Sequence, residues 1–259
     1  MRLIEVSDPS DPRLDDFRQL IDADVRVDRR GVVIAEGVNV VERLAGSPYR
    51  IRAVAAVASK AAEIAHVLET VDVDVLVLDK WTLSDVAGFR VTRGVLASAD
   101  RPPPPTLAGL LASARRVAVL ERLNDFENLG ALFRNAAAFG VDAVLLDPQT
   151  ADPLYRRSVR VSMGYVLRVP FATLPGPWPD SLGLLSDFTK LGMTPRESAT
   201  DLRRLPPMPR WAVILGAEGP GLSDAVLGRC DELVRIPMAP GVDSLNVATA
   251  AAVAFSHLA

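Results

Sequence analysis

The residues best suited to chemistry lie in three short stretches of the C-terminal half. The first reads NDFENLGALFRNAAAFG, residues 124–140. Asn128 stands where a helix N-cap belongs and Gly140 supplies a left-handed stop. The helix between them is apolar apart from Arg134 and Asn135. A guanidinium on such a helix either reaches solvent along its aliphatic stem or meets an anion. On this helix alone the plain reading is a surface arginine and an ordinary cap. The second stretch, LGAEGPGLS (215–223), follows the apolar run WAVI. Its glycines, Gly216, Gly219 and Gly221, let backbone approach a ligand closely. No Lys-Ser/Thr pair follows them, which excludes a P-loop, and Glu218 and Pro220 break the dinucleotide spacing G-x-G-x-x-G. A carboxylate in the turn repels phosphate, so a neutral or cationic ligand suits it better. A plain Gly/Pro turn capped by Ser223 fits equally well. The third stretch is RIPMAPGVDSLNVATAAAVAFSHLA, from residue 235. Asp243 or Ser244 can cap its helix, which puts Asn246 in the first turn, beside a helix body apolar enough to be buried.

These stretches need elements to hold them. After residue 106 strands and helices alternate: RRVAVLERL (strand), NLGALFRNAAAFG (helix), VDAVLLDP and YVLRVPFATL (strands), a helical patch near SLGLLSDF, RWAVILG (strand), SDAVLGR (helix), ELVRIPM (strand) and a final helix. Such alternation predicts an α/β fold with a parallel sheet covered on both faces, whose ligands lie beyond the C-terminal ends of its strands. Upstream, GVVIAEGVNVVERLAG, YRIRAVAAVAS, AAEIAHVLET and VDVLVLD predict a small α/β domain. Pro102 to Pro105 cannot enter a helix or a central strand, so the chain divides there into 1–100, a stiff linker at 101–106, and 107–259.

Composition narrows the chemistry. A chain of 259 residues that is 49% hydrophobic has ample material for two cores. Charges interrupt its apolar runs before the roughly 20 residues of a membrane span. The N-terminus lacks a signal-peptide pattern, and a cytoplasmic location is expected. One cysteine, Cys230, and two separated histidines, His66 and His257, predict neither a disulfide nor a metal site. Net charge is -3, which argues weakly against nucleic acid. Local basic clusters argue the other way: Arg29 and Arg30 in RVDRR, and Arg156, Arg157 and Arg160 in YRRSVR. With only three lysines, positive charge here is mostly guanidinium, suited to bidentate phosphate contacts.

Taken together and in order, NLGALFRNAAAFG, LGAEGPGLS and IPMAPGVDSLNVATAAAVAF resemble the three motifs of the SpoU/TrmH family of RNA ribose 2'-O-methyltransferases, in the SPOUT superfamily. The resemblance covers about residues 107–259. It implies a C-terminal SPOUT domain with a parallel sheet and a deep trefoil knot, and S-adenosylmethionine as cofactor without a metal. By the same resemblance Gly216, Ile236 and Leu245, with Leu215, Met238 and Ala248, contact the cofactor. Asn128, Arg134, Glu218, Ser244 and Asn246 match the polar active-site positions. Arg134 is then either the acceptor of the hydroxyl proton or a stabiliser of developing alkoxide. IAEGVNVV and VAGFRVTRGVLAS resemble, more loosely, an RNA substrate-binding domain of ribosomal-protein L30e type. A homodimer is expected, with its site completed across the interface. Structured RNA is the expected partner, ribosomal RNA ahead of transfer RNA, with Arg29, Arg30, Arg156, Arg157 and Arg160 on phosphate. A base methyltransferase of the same fold and an inactive RNA-binding protein remain the competing readings. One departure stands out: the segment between Leu174 and Arg210 is compressed, which predicts an abbreviated sheet edge.

Overall fold

A computed structural model describes residues 1–21 and 31–259. The chain forms two compact units, Met1–Pro103 with Pro153–Arg168, and Pro104–Asp152 with Val169–Ala259. The break at Pro103 falls inside the proline run. The excursion at 153–168 differs from the uninterrupted 107–259 read from the sequence, and its cause lies in the first unit's sheet.

That sheet contains β1 (Arg2–Glu5), β2 (Val32–Glu36), β3 (Ile51–Ala56), β4 (Asp74–Val77) and β5 (Val95–Asp100) in the order β1-β4-β3-β5-β2. β1, β4 and β3 are parallel, while β5 runs against both β3 and β2. Helices α1 (Val38–Ala45), α2 (Ala58–Leu68) and α3 (Lys80–Ala87) accompany it. β2 is an edge strand, yet all five of its residues are buried. Such an edge must be covered to avoid adventitious pairing. The cover is α6 (Arg156–Val161), which packs on β2 and, with the turn after it, buries Leu154, Val159, Val166 and Leu167. The apolar positions of 153–168 therefore belong to this core.

The second unit holds a seven-stranded sheet in which every pairing is parallel, ordered β10-β12-β9-β11-β6-β7-β8. The strands are β6 (Arg116–Glu121), β7 (Ala143–Leu146), β8 (Phe171–Thr173), β9 (Thr189–Met193), β10 (Thr200–Asp201), β11 (Trp211–Gly216) and β12 (Glu232–Arg235). Its helices are α4 (Leu107–Ser113), α5 (Phe126–Ala138), α7 (Asp224–Leu227) and α8 (Val247–Leu258). α5 and α8 pack together, and Asn135 Nδ2 donates to the Ala248 carbonyl at 2.8 Å. Trp211 stacks on Phe255 and donates its indole N–H to the Leu258 carbonyl at 3.2 Å. The expected abbreviated edge is present: β10, only two residues long and drawn from the compressed segment, forms the edge beside β12. β9, formed from the compressed segment, lies between β12 and β11. Its five residues, TKLGM, carry too little apolar alternation to announce a buried strand, and tertiary pairing overrides that weak signal.

Candidate active site

Because β12, β9 and β11 are neighbours pointing the same way, the loops after them converge. Thr194 and Pro195 follow β9, Ala217 to Gly221 follow β11, and Ile236 to Met238 follow β12. Between these loops and the segment 244–250 lies a cavity of about 400 Å3. Leu215, Gly216, Ile236, Met238 and Leu245 line it, as do Glu218, Ser244 and Asn246. Ala248, grouped with them by sequence, does not. It is buried, and its carbonyl faces α5, while Val247 and Ala250 take the cavity side.

Asn246 organises the polar end. It is the N-cap of α8, its Oδ1 accepting from the Ala248 and Thr249 amides at 3.0 and 3.1 Å. That fixes the amide orientation. Its Nδ2 donates to Asn128 Oδ1 and to Glu218 Oε1, both at 2.7 Å. One side chain thus closes a helix and joins the other two motifs. Two expectations change accordingly. Asn128 is not a cap, since Asp125 caps α5 through the Glu127 and Asn128 amides, and Asn128 is buried in the first turn. Ser244 caps nothing and meets Asp243 in an exposed loop.

The glycine turn explains itself locally. Gly219 and Gly221 have φ of +85° and +66°, the left-handed region where glycine carries no Cβ strain. Gly216 is different. A Cβ there would lie 2.3 Å from the Gly221 carbonyl carbon and 2.4 Å from Leu222 N. Glycine at 216 is therefore required by the turn folding back on itself, before any ligand is considered.

Residues 115–256 match the SpoU rRNA methylase family. An uncharacterised tRNA/rRNA methyltransferase of Mycobacterium tuberculosis, Rv0881, is 48% identical across 97% of this chain and 90% of its own length. The chain belongs to the SpoU family. Bacillus subtilis 23S rRNA (guanosine(2553)-2'-O)-methyltransferase RlmP is 33% identical over 57% of this chain and 59% of its own. Among solved structures, an AdoMet-bound rRNA methyltransferase from Sinorhizobium meliloti superposes with a TM-score of 0.81 at 22% identity. It covers 99% of this chain and 97% of that one, and shows the shared fold.

The other residues singled out in this SpoU chain fall into place unevenly. Arg134 is exposed and has no hydrogen-bond or ion-pair partner among the described residues. Six residues at about 100° each set it roughly 120° around α5 from Asn128, so the two do not face one point. Arg156 does not present itself to phosphate. It pairs with Glu36, whose side chain is 1% exposed, and lies 4.2 Å over the Phe89 ring. Buried Glu36 needs that guanidinium as counter-charge. Arg157 is exposed, and Arg160 lines a separate cavity of the first unit with Lys60 and Arg93. Arg29 and Arg30 lie outside the described residues. The Cys230 thiol is pushed up to about 11, by burial first and by the Asp231 charge second, which removes it as a nucleophile. The described residues contain no cluster of three potential metal ligands and no helix long and apolar enough to cross a membrane.

Sequence reasoning missed Met193, Thr194 and Pro195 as cavity walls. Their signal was available: the TP pair follows a short apolar run, as a turn beyond a strand does.

Proposed function

We propose that this protein transfers a methyl group from S-adenosylmethionine to a ribose 2'-hydroxyl of structured RNA, ribosomal rather than transfer RNA. The observation that carries the reading is the bridge from Asn246 to Asn128 and Glu218 at the edge of the 400 Å3 cavity. The volume is in the range of about 300–1,000 Å3 usual for small-molecule sites. Its walls suit an uncharged adenosine and a cationic sulfur. Apolar Leu215, Ile236 and Leu245 would hold the adenine, backbone of the glycine turn would offer it N–H and C=O groups, and the Glu218 carboxylate would suit the sulfonium charge. RlmP, named for 2'-O-methylation of a 23S rRNA guanosine, supports both the hydroxyl and the ribosomal substrate.

When bound, S-adenosylmethionine supplies a methyl group already activated by its sulfonium. The chain's task is then alignment and management of one proton. Asn246 spends both amide hydrogens inside the cluster, which leaves Asn128 Nδ2 as a donor and the second Glu218 oxygen as an acceptor for a ribose hydroxyl. Arg134 stabilises the developing alkoxide or holds the adjacent phosphate, because a guanidinium stays protonated far above neutral pH. Its orientation away from Asn128 is met if the protein works as a homodimer, with Arg134 serving the site of a second copy. Exposed Val242, Leu245 and Val253 offer apolar surface for that contact. The first unit, resembling an L30e-type domain, selects the RNA. The C-terminal segment threads the knot that the family resemblance implies.

The test is to compare ribose methylation across total RNA from a strain lacking this gene and its parent. One missing 2'-O-methyl group in ribosomal RNA is expected. Loss in transfer RNA alone would replace the substrate, and an unchanged profile would defeat the reading.

A further inference from the structure

Glu121 ends β6 and is almost completely buried, with 1% of its surface exposed. A carboxylate in that position is costly unless its lone pairs are filled. Here they are filled by groups from two loops. Oε2 accepts from the Ser223 amide at 2.8 Å. Oε1 accepts from Ser223 Oγ at 2.7 Å and from Trp178 Nε1 at 3.0 Å, with Arg122 more distant at 3.4 Å. Glu121 is also the residue opposite Gly216 in the β6–β11 ladder. Its backbone therefore stands beside the first residue of the glycine turn, and its side chain grips the last. Between those two points run Ala217, Glu218, Gly219 and Gly221, all cavity walls. Few other bonds restrain them: the Gly221 amide donates to the Ala217 carbonyl at 3.0 Å, and Glu218 meets Asn246.

We propose that Glu121 is a positioning residue that clamps both ends of the glycine turn and so holds the cofactor cavity in its binding shape. The clamp needs a carboxylate, because every partner is a donor. In Glu121→Gln an NH2 must face either the Ser223 amide or the Trp178 indole N–H, leaving two donors opposed. The inference rests on the reading of this cavity as a cofactor site, and its test separates the two ideas.

Hydrogen exchange of the Gly221 and Ser223 amides is measured in the ligand-free full-length protein and in Glu121→Gln, with S-adenosylhomocysteine affinity and steady-state methylation measured alongside. Exchange at these two amides should rise at least tenfold while the β6, β7 and β11 amides stay within about twofold. The dissociation constant and the cofactor KM should rise at least tenfold, with kcat at saturating cofactor within about threefold. Equal acceleration throughout the second unit would mean that Glu121 supports the fold generally, and the clamp would be overturned. Unchanged exchange in the turn would overturn it too. If the parent protein binds neither S-adenosylhomocysteine nor S-adenosylmethionine, the cofactor reading fails, while the exchange comparison still decides the clamp. Should Glu121→Gln not fold, Trp178→Phe removes one donor and keeps the carboxylate. A same-direction change of about threefold at Ser223 is expected there, and no change would overturn the proposal.

Discussion

Glu36 and Glu218 are both glutamates near strand ends, one in each unit, and they are treated in opposite ways. Glu36 is sealed under α6 and neutralised by Arg156, whose guanidinium lies over the Phe89 ring. Glu218 is exposed at a cavity and held by the uncharged amide of Asn246. A guanidinium partner uses up a carboxylate, whereas an amide on one oxygen orients it and leaves the other free. The first arrangement is how a chain closes an edge strand. The second is how it keeps a polar group available.

The strongest way to break this contrast is Asn246→Asp. The variant keeps an oxygen to cap α8, so its melting temperature should fall by no more than a few degrees. A carboxylate now faces Asn128 Oδ1 and Glu218, so methyl transfer should fall by roughly two to four orders of magnitude, the range for loss of one proton-transfer or oxyanion group. Single-turnover rates beside a thermal melt check both parts. Activity within threefold of the parent would mean the cluster is ordinary capping.

The same contrast makes Arg156→Ala a stability variant. Glu36 would be left buried without its counter-charge, at a cost of about 3–5 kcal/mol. Urea denaturation should show that loss, and methyl transfer per folded molecule should stay within about twofold. A stable variant with weak RNA binding would return Arg156 to the phosphate role its sequence suggests.

That reversal shows what the sequence made legible. The alternating elements of the second unit, the glycine turn and all three polar motifs were readable, because each is local: a cap, a turn or an apolar period spans only a few residues. The Arg156–Glu36 pair was hidden because the partner is 120 residues away, and YRRSVR looks the same whether it faces phosphate or Glu36. Asn246 was readable as polar and out of place, but its cap role was given to Asp243 or Ser244, since neighbouring Asp, Ser and Asn residues are chemically alike as caps. β9 was missed for the complementary reason: five weakly patterned residues become a strand only through β11 and β12.

A smaller effect sharpens the comparison along α6 itself. Arg160 lines the first unit's cavity, one turn from Arg156. If it contacts phosphate, Arg160→Ala should lower the slope of log binding constant against log salt by roughly 0.7–0.9, while Arg156→Ala leaves it unchanged. RNA titrations at four salt concentrations distinguish the two, and equal slopes in both variants would remove Arg160 from the footprint.

The central claim is methyl transfer to a ribose hydroxyl, and it is tested most directly by incubating the full-length protein with ribosomal RNA and methyl-labelled S-adenosylmethionine, then digesting to nucleosides and locating the label by mass spectrometry. Label on a single 2'-oxygen, absent when Asn246→Asp replaces the parent protein, is the predicted result. Label on a base, or none on either ribosomal or transfer RNA, would contradict it.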